Sequence, residues 1–291
     1  MKPAPFIWNG PRSKAEALAA LAEHGSDAKV LAGGQSLIPM LAMRLAEPKV
    51  LVDINAAADL SYITVEPDGV RVGALARHAE IERNTDVERI VPIVSQGLRN
   101  VAHATIRNRG TTVGSIAHAD PSGEMTSVLA LTGGHVLAAT ASGERTIPWD
   151  EFFVGALESC LEPGELAIEA YFPAMKANEG SAYTEMSRRH GDYAMCGVGA
   201  IVELDGDLLA GARLSFISVT ETPMVVDVTD AAREGDDALA AAAREAIDPV
   251  GDIHASADFR KQLAGVLAQR VVADAIANAA ERRTASEGAR A

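Results

Sequence analysis

Hydrophobic and polar positions in the first 55 residues change their period several times, and each change marks an element. Apolar residues recur at helical spacing in AEALAALAEHG (15–25), after Ser13 as a potential N-cap and with Glu16 completing a capping box. Short β-rich runs at 28–32 and 49–54 lie on either side of SLIPMLAMRL (36–45), which has a helical pattern. This order predicts a small βαβ unit over residues 1–55.

The pattern changes again after residue 55 and once more near residue 176. Strand-like runs at 69–75, 136–140 and 165–173, a helical segment near 86–99 and a long irregular glycine-bearing stretch predict a second subdomain over 56–175. The polar segment KANEGS is a predicted linker. We therefore expect a first domain over 1–175.

Three strand-like runs follow the linker, at 182–189, 196–209 and 210–220, with Asp205-Gly206 as a turn signal between neighbouring strands. Helical patterns at 236–247 and 256–281 come next. They predict a smaller α+β domain over 180–282 with a three-stranded antiparallel sheet. Residues 283–291 have little to bury and are expected to be disordered.

Charge and cysteine content narrow the classes of function. The chain has 40 acidic against 26 basic residues and a formal charge of −14, so nucleic acid and anionic membranes are not expected partners. No apolar run approaches the roughly 18 residues that span a bilayer, and no signal peptide is evident, so a cytoplasmic location is expected. Cys160 and Cys196 lack the spacing of zinc or iron–sulfur ligands.

The stretch VLAGGQSLIPML (30–41) places two glycines between a predicted strand and a predicted helix. Without a β-carbon, Gly33 and Gly34 can adopt positive φ and let a ligand approach the backbone. Their amides, with the Ser36 hydroxyl and the helix terminus, could cradle a phosphate group. A tight turn without a ligand is the open alternative, since Gly-Gly turns are common.

A second stretch, RNRGTTVGSIAHADPSGEMTSVLAL (107–131), combines small residues, hydroxyls and carboxylates. Two such amide-presenting loops in one lobe could hold the two ends of an extended dinucleotide, with a carboxylate binding ribose hydroxyls. Asp120 and Glu124 could instead cap a helix, and that role does not exclude ligand contact.

A third stretch, MSRRHGDYAMCGVGA (186–200), crowds charged and aromatic groups into a turn between strands. Together, AGGQSLIPML, IRNRGTTVGSIAHADPSGE and RRHGDYAMCGVGA resemble, in order and separation, the FAD-binding medium subunit of molybdenum hydroxylases of the xanthine dehydrogenase and aerobic carbon monoxide dehydrogenase type. The resemblance covers nearly the whole chain. It implies a vanillyl-alcohol-oxidase (PCMH) type FAD-binding domain of two subdomains, followed by the smaller α+β domain.

The resemblance also implies which residues hold a noncovalent FAD. Two loops would bind the diphosphate, Glu124 would bind the ribityl or ribose part, and Tyr193 would lie over the flavin ring. Thr184 stands where some relatives have a lysine near the flavin. The implied cofactor-binding residues are Lys29, Val30, Leu31, Ala32, Gly33, Gly34, Gln35, Ser36, Thr111, Thr112, Gly114, Ser115, His118, Asp120, Glu124, Ala167 and Tyr193.

The implied function is electron transfer, with no catalytic side chain and no metal ligand on this chain. A large subunit would carry molybdopterin, a small subunit would carry two 2Fe-2S clusters, and the FAD would pass electrons to quinone, dioxygen or NAD. The implied assembly is a dimer of heterotrimers. A stand-alone flavin oxidoreductase of the same wider fold and a cofactor-free binding module are the alternatives.

Overall fold

The N-terminal subdomain is a three-stranded parallel sheet with two helices. The computed structural model describes residues 2–288. The elements here are β1 (Ile7–Asn9), α1 (Lys14–His24), β2 (Ala28–Leu31), α2 (Leu37–Met43) and β3 (Val50–Asp53). The strand order is β1-β3-β2, and both pairs are parallel. The predicted βαβ unit is therefore confirmed, and the Ser13 side chain caps α1 by accepting a hydrogen bond from the Glu16 amide at 3.1 Å.

The second subdomain is built on a five-stranded antiparallel sheet in the order β4-β5-β10-β6-β7. Its elements are β4 (Ile63–Glu66), β5 (Gly69–Gly73), α3 (His78–Glu82), α4 (Thr85–Ile90), α5 (Pro92–Leu98), α6 (Ala104–Arg107), α7 (Thr112–His118), α8 (Glu124–Thr132), β6 (His135–Thr140), β7 (Gly143–Pro148), α9 (Trp149–Phe152), β8 (Phe153–Gly155), β9 (Glu158–Ser159) and β10 (Leu166–Pro173). Six helices separate β5 from β6. The stretch expected to be irregular after residue 99 is thus largely helical, because its helices are too short to give a clear period.

The C-terminal domain has a four-stranded antiparallel sheet rather than the predicted three-stranded one. Its elements are β11 (Glu179–Met186), β12 (Cys196–Asp205), β13 (Leu208–Ile217), β14 (Val225–Asp227), α10 (Thr229–Glu234), α11 (Asp236–Glu245) and α12 (Ala257–Gly288). The fourth strand, β14, has three residues and gives no readable alternation. The predicted turn at Asp205-Gly206 is confirmed, with Gly206 at φ 62°.

Two predictions about flexible segments are wrong. The segment KANEGS is not a linker throughout, since β11 begins at Glu179. Helix α12 continues to Gly288, so residues 283–288 are helical instead of disordered, and residues 289–291 lie outside the described residues. Helix α12 is long and apolar enough over 257–285 to cross a membrane by length and composition. It packs along β11 and β12, which accounts for its apolar residues.

The core consists of two hydrophobic clusters that meet at the boundary between the domains. One fills the two N-terminal subdomains and the other lies between the C-terminal sheet and α12. Gln96 in α5 and Ser181 in β11 exchange two hydrogen bonds of 3.0 Å across the boundary. These two bonds hold α5 against β11.

Candidate cofactor-binding site

The first glycine loop runs from the end of β2 to the start of α2, over residues 32–36. Gly34 has φ 74°, a left-handed conformation that a side chain disfavours. Within residues 2–288, no protein group accepts a hydrogen bond from the amides of Gly33, Gly34, Gln35 or Ser36. The loop therefore presents a row of free N–H donors at the edge of the parallel sheet, as the sequence predicted for an anion cradle.

The second glycine loop joins α6 to α7 and includes the first turn of α7. Several of its backbone amides donate to acceptors within the protein. The Thr112 amide donates to Ala76 O, the Gly114 amide to Thr111 Oγ1 and the Ser115 amide to Thr111 O. The Thr112 hydroxyl is buried and hydrogen-bonded to His78 Nδ1 at 3.0 Å. The Thr111 and Val113 amides have no protein acceptor in the described part of the chain, so these two remain available for an anion.

The two glycine loops meet, although they are separated by more than 70 residues in sequence. A β-carbon on Gly33 would lie 2.5 Å from Arg109 O and 2.8 Å from Gly110 Cα. A β-carbon on Gly114 would lie 2.5 Å from Thr111 Oγ1 and 4.0 Å from Ala32 Cβ. At position 33 only glycine fits without displacing the backbone of the second loop, whereas at position 114 a β-carbon would meet the Thr111 side chain.

Asn55 and Arg77 clamp the two loops together, and sequence reasoning did not find either residue. Asn55 Nδ2 donates to Ala32 O at 2.8 Å, and Arg77 Nη2 donates to Asn55 Oδ1 at 2.7 Å. Arg77 Nη1 also donates to Arg109 O in the second loop. The hydrogen bonds made by the side chains of Asn55 and Arg77 therefore fix both loops.

A cleft of about 350 Å³ opens above the first loop. It is lined by Leu31, Ala32, Gly33, Gly34, Gln35, Ile38, Pro39, Asp53, Asn55 and Arg109. Of these, Ile38 and Pro39 were not predicted, and neither were the polar residues Asp53, Asn55 and Arg109. The signal for the polar residues was present, because Asp53 ends and Asn55 follows a buried strand beside β2, where parallel sheets commonly bind ligands, and Arg109 precedes the second glycine pair.

Three further predicted residues extend the site along the second loop. His118 ends α7, and its pKa is lowered mainly by burial, with Lys29 and Asp120 close enough to act on it in opposite directions. Asp120 Oδ1 accepts a hydrogen bond from the Ser122 amide at 2.9 Å and so shapes the turn. Burial raises the pKa of the Glu124 carboxyl, at the start of α8, to about 8, and the charges of Glu185 and Asp120 add to the rise.

Tyr193 lies in the loop between β11 and β12, next to Asp120. Its side chain is 71% exposed, while the surrounding protein and the neighbouring Asp120 raise the pKa of its hydroxyl to about 12. The same loop packs on a corner of the second subdomain, where Gly191 faces the His103 ring. Tyr193 therefore presents an aromatic face beside a carboxylate.

Other predicted residues lie apart from the cleft lining. Lys29 and Val30 belong to β2, and Lys29 is exposed. Ala167 is buried in β10 opposite Ala138. Ser36 adjoins the cleft without lining it, and Thr184 pairs with Val198 within the sheet.

A partly buried acidic group, Glu185, lies near the start of α8. Burial raises the pKa of Glu185 to about 7, and its Oε2 atom is enclosed without a hydrogen-bond partner among the described residues.

Between residues 2 and 288, His, Cys, Asp and Glu form no group of three or more that could hold a metal ion. The arrangement as a whole offers free amides to an anionic diphosphate, an aromatic face and carboxyl groups that accept from hydroxyls.

The comparisons with known proteins give one consistent result. A family model described as "FAD binding domain in molybdopterin dehydrogenase" matches residues 4–175. A second, described as "CO dehydrogenase flavoprotein C-terminal domain", matches residues 181–275. Together the matched residues include both glycine loops, the Asp120 turn and the Tyr193 loop.

Individual relatives match over almost the full length. The 6-hydroxypseudooxynicotine dehydrogenase complex subunit alpha of Paenarthrobacter nicotinovorans is 38% identical over 95% of this chain and 96% of its own. The caffeine dehydrogenase subunit beta of Pseudomonas sp. (strain CBB1) is 35% identical over 97% of each. A solved carbon monoxide dehydrogenase from Hydrogenophaga pseudoflava superposes with a TM-score of 0.89 at 32% identity, over 96% of this chain and 99% of that chain. The chain therefore belongs to the FAD-binding medium subunits of the molybdenum hydroxylases, and it is an oxidoreductase component whose cofactor is FAD.

Proposed function

We propose that this chain transfers electrons, through its FAD, from the iron–sulfur clusters of a partner subunit to an external acceptor. The observation that carries the proposal is the meeting of two glycine loops that each keep backbone amides free, beside a cleft lined by Gly33, Gly34 and Gln35 of the first loop and by Arg109 of the second. Such a cradle suits a diphosphate and leaves the rest of a dinucleotide to extend toward other parts of the site. FAD, when bound, would supply the redox chemistry, and the protein would orient it and control access.

The residues fit the diphosphate of FAD in a specific way. The amides of Gly33, Gly34, Gln35 and Ser36 would donate to one phosphate, and those of Thr111 and Val113 would donate to the other. The Thr112 hydroxyl is committed to His78, so its role would be to hold the loop rather than to contact phosphate. Asn55 and Arg77 would keep the two sets of donors at a fixed separation.

The remaining predicted residues would bind the other parts of FAD. Glu124 would bind ribityl or ribose hydroxyls, and Tyr193 would pack on the flavin ring, with Ala167 bordering its pocket. Lys29 lies close enough to His118 for its charge to lower the pKa of the imidazole, and the two residues would form one wall of the FAD site. A noncovalent complex is proposed, since nothing marks either Cys160 or Cys196 for attachment, and Cys196 is buried.

The proposed partners are a molybdopterin-binding large subunit and a small subunit with two 2Fe-2S clusters, assembled as a dimer of heterotrimers in the cytoplasm. Support comes from the relatives, one named as a complex subunit and two named as medium chains of carbon monoxide dehydrogenase. We further propose that residues 1–175 have the PCMH type of FAD-binding fold. A parallel subdomain next to an antiparallel one, with the glycine loops between them, supports this assignment.

Two measurements test the proposal. First, the purified chain is incubated with FAD and passed through a gel-filtration column, and we expect flavin absorbance to elute with the protein at about one FAD per chain. Second, the chain is affinity-purified from its native host, and the eluate is analysed for molybdenum, iron and flavin.

We expect two further subunits, with iron and molybdenum, in that eluate. A chain that takes up FAD but elutes alone, free of both metals, would favour the stand-alone flavin oxidoreductase. A chain that takes up no FAD in either preparation would contradict the proposal and leave only a binding module.

A further inference from the structure

Arg260, a buried arginine near the start of α12, donates hydrogen bonds to two segments that belong to the proposed FAD site. Arg260 is 5% exposed. Its Nη1 donates to Met195 O at 2.7 Å and to Ser218 O at 2.6 Å, and its Nη2 donates to Asp252 Oδ2 at 2.7 Å. The guanidinium thus joins three segments that are distant in sequence.

The first segment is the loop that carries Tyr193. Met195 ends that loop, and its amide donates to Met186 O at 2.8 Å, which closes the loop at its base. Tyr193 is two residues before the carbonyl that Arg260 holds. A shift of Met195 would therefore move the aromatic face directly.

The second segment leads to the Asp120 turn. Ser218 follows β13 in a left-handed conformation, with φ 65°, which an L-residue adopts only when its surroundings hold it there. Its amide donates to Pro121 O at 2.8 Å, and its Oγ donates to Ser122 Oγ at 2.9 Å. Through Ser218, Arg260 is thus connected to the turn between Asp120 and Glu124.

The third segment contains Asp252, whose carboxylate orients the Arg260 guanidinium. Asp252 Oδ1 accepts hydrogen bonds from the amides of His254 at 2.8 Å and Ala255 at 3.0 Å. These amides lower the pKa of Asp252 to about 2, so the carboxylate stays charged and remains fixed opposite Arg260. A planar guanidinium can donate to all three acceptors at once, which the single ammonium of a lysine cannot do with the same geometry.

We propose that Arg260 is a positioning residue for the FAD site, which sets the Tyr193 loop and the Asp120 turn at the separation that the cofactor requires. The inference rests on the proposed function, because it assumes that these two segments face bound FAD. Arg260 acts through Met195 and Ser218 and does not itself contact the cofactor.

The test compares Arg260→Met with Arg282→Met in the full-length chain. Arg282 is a matched control, since it lies on the same helix and its guanidinium likewise donates to three acceptors, here the backbone carbonyls of Lys176, Glu179 and Arg89. Its partners lie at the start of β11 and the end of α4, away from both segments. FAD affinity, the thermal midpoint and the midpoint potential of bound FAD are measured for each variant.

We expect Arg260→Met to weaken FAD binding by at least about tenfold and to shift the potential of the bound flavin, while Arg260→Lys restores part of the affinity. Arg282→Met should lower the thermal midpoint but leave both cofactor properties at the wild-type values. If Arg260→Met does not fold, Asp252→Asn serves instead and should weaken FAD binding to a smaller degree.

Equal FAD affinity and potential in wild type and Arg260→Met would overturn the inference and make Arg260 a plain anchor of α12. If Arg260→Met does not fold, an unchanged FAD affinity in Asp252→Asn would likewise overturn the inference. If the wild-type chain binds FAD and the variants behave alike, the inference alone fails. A wild-type chain that binds no FAD would overturn the proposed function, and this inference with it.

Discussion

Gly33 shows how a single atom can decide whether the site forms. The space for its β-carbon is taken by Arg109 O and Gly110 Cα, which are backbone atoms and cannot move without shifting the whole second loop. Asn55 and Arg77 resist that shift because they tie both loops through side-chain hydrogen bonds. A substitution here is therefore expected to separate the two rows of amides rather than to be absorbed locally.

We predict that Gly33→Ala weakens FAD binding by at least about tenfold, because the phosphate donors of the two loops no longer converge. The affinity is measured by titrating the apo chain with FAD and following flavin fluorescence. Gly143→Ala is the matched control, since a β-carbon there meets nothing within 4 Å. Equal affinities for the two variants would mean that the loops do not bind the cofactor together.

At the scale of elements, α12 packs on β11 so closely that a strand residue opposite the helix has no room for a β-carbon. A β-carbon on Gly180 would lie 2.2 Å from both Ala275 O and Ala279 N. Both alanines are fully buried, so small residues on the helix and a glycine on the strand together allow the backbones to touch. This contact fixes how far α12, and the Arg260 that it carries, can lie from the sheet.

Gly180→Ala is expected to lower the free energy of unfolding by about 1–3 kcal/mol, because the added methyl group must displace the helix backbone. Urea unfolding, followed by circular dichroism, measures the change. Gly211→Ala on β13 provides the comparison, since the nearest atom to its β-carbon is Glu203 Cβ at an ordinary 3.7 Å. A loss of stability as large in Gly211→Ala as in Gly180→Ala would remove close packing as the cause.

At the scale of the whole molecule, three groups with shifted pKa values give the apo chain opposite responses to pH. Burial lowers the pKa of His78 from 6.5 to about 4, so stability falls as pH drops below 6.5 and the unfolded chain takes up the proton. Burial raises the pKa of Glu124 to about 8 and that of Glu185 to about 7, from 4.5. For these acids the unfolded chain releases its protons first, so stability falls as pH rises from 4.5 toward 8.

We therefore predict that the free energy of unfolding of the apo chain declines between pH 6.5 and 8, because most of the opposing response of His78 lies between pH 4 and 6.5. Glu185→Gln should make this decline smaller, because glutamine cannot be deprotonated. Urea unfolding at several pH values measures the slope. The exposed Glu234→Gln controls for the loss of one negative charge. An identical slope in wild type and Glu185→Gln would contradict the prediction.

Much of the local structure was readable from the sequence because its causes are local. Ser13 and Gly25 bound α1, Asp205-Gly206 makes a turn, and strand-like runs rich in apolar residues give β12 and β13. The predicted number of sheet strands and the disordered tail were wrong, since β14 has too few residues to show a period and α12 is longer than its apolar pattern.

The sequence by itself determined the βαβ unit, the long strands of the C-terminal sheet, the two glycine loops and the family to which they belong, since each can be read from short motifs and their order along the chain. Only the tertiary structure decided which amides in those loops are free, since Thr112, Gly114 and Ser115 use theirs within the protein. It alone brought Asn55 to Arg77 and Arg260 to the Tyr193 loop. These contacts join residues far apart in sequence, and their partners are fixed by how sheets and helices pack, which no local spacing encodes.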